Sequence, residues 1–138
     1  MSALGKRVIL ALCLPACSQE RTWHGGHGLD IDHARDRLYA ACDDGHLVEV
    51  DSRSGDITNR WPIAGPPDVT FFNPESGRVH VAIGEPGLVE TIEPKTGKTS
   101  QTVTGAGAHT TVLVPPDRLY VIFTSPWWCS CTCRHVVF

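Results

Sequence analysis

Short apolar runs broken by single polar residues fill most of this chain, and turn-forming pairs close them. Val79, His80 and Val81 alternate in polarity, and Glu49 interrupts Leu47 to Val50. This is the period of a strand whose two faces meet different surroundings. The pattern predicts strands over Leu29 to Asp32, Arg37 to Cys42, His46 to Asp51 and Ile57 to Trp61. A second set is predicted over Val69 to Phe72, Arg78 to Ile83, Leu88 to Ile92 and Thr99 to Val103. Between them stand Asp44-Gly45, Ser54-Gly55, Ser76-Gly77 and Thr96-Gly97, pairs suited to the positive φ of tight hairpins. Nothing of helical period and length competes, apart from an apolar run near the N-terminus.

The two sets are copies of one another. Arg37 aligns with Arg78 and Leu47 with Leu88 at a shift of 41, and Gly55 aligns with Gly97 at 42. A third copy begins at GAHTTVLVPPDRLYVIF, where Arg118 follows Arg78 by 40 residues. Self-similarity at this period is the mark of one supersecondary unit per copy, and about 40 residues is the size of a four-stranded propeller blade. The fold class predicted is all-β: a partial β-propeller of tandem four-stranded antiparallel meanders.

The phrases LDIDHARDRLYAACDDGHLVEVDSRSG, GPPDVTFFNPESGRVHVAIGEPGLVETIEPKTG and GAHTTVLVPPDRLYV resemble the YncE-like β-propeller proteins of bacteria. Those proteins share their repeat style with the propeller of cytochrome-type nitrite reductases. The resemblance covers residues 27 to 124, about two and a half blades. It implies a propeller and, because propellers host unrelated activities, only a loose function. Closed propellers use about four to eight blades. The chain is therefore expected to be a fragment of a longer propeller, or to complete its ring by self-association. Residues 125 to 138, TSPWWCSCTCRHVVF without its first threonine, depart abruptly from the repeat, as a truncated or frame-shifted gene end would.

Composition narrows the class. Thirteen glycines and ten prolines, scattered between β-branched runs, fit an all-β chain with many turns. A net charge of −3 over 138 residues, with no basic stripe, argues against nucleic acid as a partner. Residues 1 to 26 form a separate segment, in which Lys6 and Arg7 precede the apolar run Val8 to Leu14 and then LPAC. That is a signal-peptide pattern, and Leu14 to Cys17 resembles the lipobox of bacterial lipoproteins, in which the cysteine is acylated. It predicts a periplasmic or membrane-anchored protein with Cys17 as the lipidated residue; without export the protein would be cytoplasmic. The six cysteines are not evenly spaced, so no disulfide framework is expected, and Cys42 reads as a small buried hydrophobe.

Candidate chemistry is sparse. Cys129, Cys131, Cys133 and His135 offer soft ligands, but in an extended strand alternate sulfurs stand roughly 6 to 7 Å apart, too far to share one ion. EPKTGKTS ends like a phosphate-binding loop but has Ile92 where the first glycine belongs, and DSRSGDI in the preceding copy marks it as a turn. No nucleophile elbow is present, and the catalytic residues are unknown. Asp32 aligns with Asn73, a pair that reads as turn-starting Asx residues.

The repeat register supplies one constellation. His27, Asp68 and His109 occupy the same place, just before the first strand of each copy. First strands line a propeller's central channel, so the three are expected at one channel mouth, as ligands for a small molecule or protein. Imidazole and carboxylate also suit a divalent metal, although no cofactor is required. The expected function is a non-catalytic scaffold or ligand-binding module. The alternative is a metal-dependent hydrolase of the lactonase type, for which only Asp68 supplies an acidic ligand.

Overall fold

A computed structural model describes residues 26–114, 118–123 and 132–137. They form three antiparallel sheets in tandem. The first contains β1 (Gly26–Asp32), β2 (Arg37–Cys42), β3 (His46–Asp51) and β4 (Ile57–Pro62); the second contains β5 (Pro67–Asn73), β6 (Arg78–Ile83), β7 (Leu88–Glu93) and β8 (Lys98–Val103). The third contains β9 (Ala108–Val114), β10 (Arg118–Phe123) and β11 (Thr132–Val137). Each is a meander, with strands paired in chain order. Three of the eight predicted strands have the predicted bounds, and the rest are longer by a few residues at their ends.

Turn chemistry sets the register. Gly45, Gly55, Gly77 and Gly97 all have positive φ, between 68° and 82°, a region that an L side chain adopts at a cost. Asp32 and Asn73 play the same role 41 residues apart. Asp32 Oδ1 accepts the Ala34 N–H at 3.0 Å, and Asn73 Oδ1 accepts the Glu75 N–H at 3.0 Å. The loop at Thr96-Gly97 is likewise a turn, in which the Gly97 N–H donates to the Glu93 carbonyl at 2.8 Å.

The sheets stack face to face, and the core lies in the seams. Tyr39, Ala41, Leu47 and Trp61 of the first sheet, with Ile63 just after it, pack on Phe72, Val79, Val81, Ile83, Leu88 and Ile92 of the second. The rings of Tyr39 and Phe72 stack across this seam, 5.4 Å between centroids and 24° between planes, a contact worth about 1 kcal/mol beyond its area. Val89 meets Ala108, Leu119 and Val121 in the next seam. Each such side chain fully buried contributes roughly 1.5–3 kcal/mol. Together the sheets are an open, unclosed part of a propeller.

Two features differ from expectation. Residues 132 to 137, in the segment that departs from the repeat, supply the third strand of the third sheet, pairing Arg118 with Val137 and Phe123 with Thr132. A strand needs backbone partners more than a particular side-chain pattern, so the unlike sequence still completes the ladder. Cys42 is fully buried, as expected, but it is disulfide-bonded rather than a simple thiol. Cysteine spacing along the chain does not reveal which sulfurs the fold brings together. The predicted signal segment and the candidate lipidation residue Cys17 lie outside the described residues, as do Cys129 and Cys131. Cys133 and His135 fall on β11.

Candidate functional site

The start of each innermost strand is irregular. In β1 the pairing with β2 shifts between Gly26 and Leu29, leaving His27 and Gly28 in a bulge. In β5 the shift falls between Pro67 and Val69, which places Asp68 in it. In β9 the ladder to β10 shifts between its Phe123–Ala108 and Val121–Thr111 pairs, and His109 lies in that interval. Three repeat-equivalent residues thus occupy three repeat-equivalent bulges. A bulge leaves a residue out of the ladder and re-aims its side chain, which is why such irregularities gather at sheet ends and sites.

The structure brings two of these residues together. His109 Nδ1 lies 3.6 Å from Asp68 Oδ2, across the seam between the second and third sheets. His27 turns instead to Asp43 in the β2–β3 turn of its own sheet, with Nε2 3.5 Å from Oδ2. The reason is local: Gly28, at φ 78°, turns the chain within the bulge, and a Cβ there would sit 2.6 Å from Thr70 Oγ1. Only glycine lets β1 approach β5 this closely. Asp43 was not singled out from the sequence, because its position is an ordinary hairpin turn and only the fold sets it opposite His27. Beside it, Asp44 accepts from Arg60 at 2.8 Å and lies 3.3 Å from His46 Nδ1. This end of the sheets therefore carries three carboxylate–imidazole pairs, all at least partly exposed. Among the described residues no three His, Cys, Asp or Glu side chains are grouped to hold one metal ion.

The other end of the innermost strands has a cleft of about 560 Å³, lined by Asp30, His33, Arg35, Phe71, Phe72 and Pro74 among others. Its carboxylates are engaged with the backbone. Asp30 accepts the Ile31 N–H at 2.8 Å and, across the seam, the Phe72 N–H at 2.7 Å. Asp32 holds its own turn and lies 3.5 Å from Arg35 Nη1. Asp30 thus fastens two sheets together, and Asp32 closes its own turn.

Inside the sheets, Glu49 and Glu90 are buried at positions 41 apart. Glu90 accepts the Ala64 N–H of the incoming connector at 2.8 Å and the Gln101 amide at 3.3 Å. Glu49 accepts the amide of Asn59 at 3.0 Å. Burial, reinforced by the charge of Glu49, raises the Tyr39 phenol above its ordinary range. His80, the equivalent of Tyr39 in the second sheet, is pushed down to about 4 by burial, with a smaller contribution from Arg78.

No family profile matches the sequence, and no curated protein does. Solved structures do match, three of them with folds of propeller type. A chain of Kuenenia stuttgartiensis hydrazine synthase superposes with a TM-score of 0.69 at 15% identity, over 80% of this chain and 33% of that one. Saccharomyces cerevisiae Sqt1 gives 0.61 at 12% identity, over 72% and 28%. U3-55K gives 0.58 at 10%, over 75% and 34%. The fold is that of a propeller, and the match spans about a third of each structure.

Proposed function

We propose that this chain is a binding module, a YncE-like part of a propeller, whose ligand meets the bulged ends of the innermost strands. The observation that carries this reading is the recurrence of the bulge with His27, Asp68 and His109 in it. The Asp68–His109 pair would form the nucleus of the site, and His27 with Asp43 its flank. Further blades, in a longer protein or in other copies, would close the channel around it. The hydrolase alternative gains no support from the described residues, since the mouth offers pairs and not a set of three ligands.

Zinc ion alone serves as the probe. Calorimetry on the chain is expected to show weak binding that His27→Ala/His109→Ala removes and His33→Ala, at the opposite end, leaves intact. Equal heats from the wild type and the double variant would place any ligand elsewhere.

A further inference from the structure

One position on the ladder differs in chemistry between the first and second sheets. Glu49 pairs with Tyr39, and Thr91 pairs with the equivalent His80. In the first sheet the Glu49 carboxylate gathers a set of donors. It accepts the Thr58 hydroxyl and, at 3.0 Å, the Asn59 amide, and it lies 3.8 Å from Arg37 Nε. In the second sheet the carboxylate is gone and polar surroundings remain. Arg78 opens β6 as Arg37 opens β2, and Ser100 stands opposite Thr91 as Asn59 stands opposite Glu49. Here lies a pocket of about 140 Å³, lined by Arg78, Thr91, Glu93, Lys98 and Ser100.

The charge of these positions has reversed as well. The Gly55 N–H donates to the Asp51 carbonyl as the Gly97 N–H donates to that of Glu93, so Asp51 and Glu93 correspond. The Asp51 N–H donates to the Asp56 carbonyl, and Lys98 is the ladder partner of Glu93. The first sheet thus sets Arg37 against Glu49, Asp51 and Asp56, with Arg37 ion-paired to Asp51. The second sets Arg78 and Lys98 against Glu93 alone. Glu93 Oε2 is occupied by its own turn, where it accepts the Thr96 hydroxyl at 2.8 Å. Among the described residues no ion pair engages Arg78 or Lys98.

We propose that this pocket binds a small carboxylate anion, which takes the place that the Glu49 side chain fills in the first sheet. Arg78 and Lys98 supply the charge, and a guanidinium fork matches a carboxylate in shape. Ser100 and Thr91 supply hydroxyl donors. Thr91 Oγ1 lies 2.9 Å from His80 Nδ1, so with the ring proton on Nδ1 the hydroxyl is left to donate to the ligand. The volume equals that of about five waters, which suits acetate or malonate. The pocket is at the end of β6 away from the bulge, since Arg78 pairs with Asn73 and Ile83 with Pro67. It is therefore independent of the ligand at the channel mouth.

The test is a titration of the isotope-labelled full chain with sodium malonate, followed by NMR against sodium chloride at matched ionic strength. Saturable amide shifts are expected at Arg78, Thr91 and Ser100 in malonate alone, with Arg37, Glu49 and Asn59 unmoved. Arg78→Gln and Lys98→Gln, both at exposed positions, should each weaken binding about tenfold. Glu93→Gln removes the opposing charge and should tighten it. Thr91→Glu restores a built-in carboxylate and should abolish binding. Shifts that match those in chloride, or a malonate affinity that Arg78→Gln leaves unchanged, would overturn the proposal, as would full malonate binding by a folded Thr91→Glu chain.

Discussion

His80 shows how one position in the repeat acquires different chemistry in successive sheets. Tyr39 stacks on Phe72 in the first seam, whereas His80 is 2% exposed, with Nδ1 2.9 Å from Thr91 Oγ1. Burial holds its value near 4, below the ordinary 6.5. Above pH 6.5 the ring is neutral in both the folded and unfolded chain and contributes nothing to pH dependence. Between 6.5 and 4 the unfolded chain binds the proton and the folded chain does not, so stability falls as the pH falls. The loss should reach about 3 kcal/mol by pH 4. Urea denaturation of the wild type and His80→Tyr at pH 7 and pH 4.5 isolates it: the variant should lose less stability on acidification, and parallel losses would assign the acid sensitivity to other groups. At this scale the sequence was only partly legible. Asp32 and Asn73 were readable as turn residues because their hydrogen bonds run to neighbours two and three residues on. His27 was expected with Asp68 and His109, yet it pairs with Asp43, because a bulge and a left-handed glycine decide where a side chain points and neither can be counted from spacing.

At the scale of elements, the blade is held by polar groups as well as by its apolar seams. Glu90 on β7 accepts the connector N–H of Ala64 and so fastens the link between one sheet and the next. Ala64 is exposed and the bond only partly buried, so its N–H can turn to water when the acceptor is lost and the net worth of the bond is about 1 kcal/mol. Glu90→Ala should therefore lower the free energy of unfolding by about 1 kcal/mol, and Glu90→Gln, which keeps one carbonyl acceptor, by less. Chemical denaturation checks this, and equal losses from the two variants would show that the charge matters rather than the hydrogen bond. The strands were legible because alternation and glycine-closed turns are local signals repeated at a fixed period. β11 was not, since it is defined by the free edge of β10 and not by resemblance to β3 or β7. The Cys42 disulfide was missed for a related reason: it depends on which sulfurs the fold brings together and not on their spacing.

For the whole molecule, the central claim is that three meanders stack in sequence as an open part of a propeller. The seams carry that claim, because isolated meanders would form the same ladders without them. Nuclear Overhauser contacts in solution test it most directly. The account predicts contacts between the rings of Tyr39 and Phe72, and between the methyl groups of Val89 and Leu119, in one and the same folded species. A spectrum with all cross-strand contacts inside each sheet but neither of these contacts between sheets would contradict it.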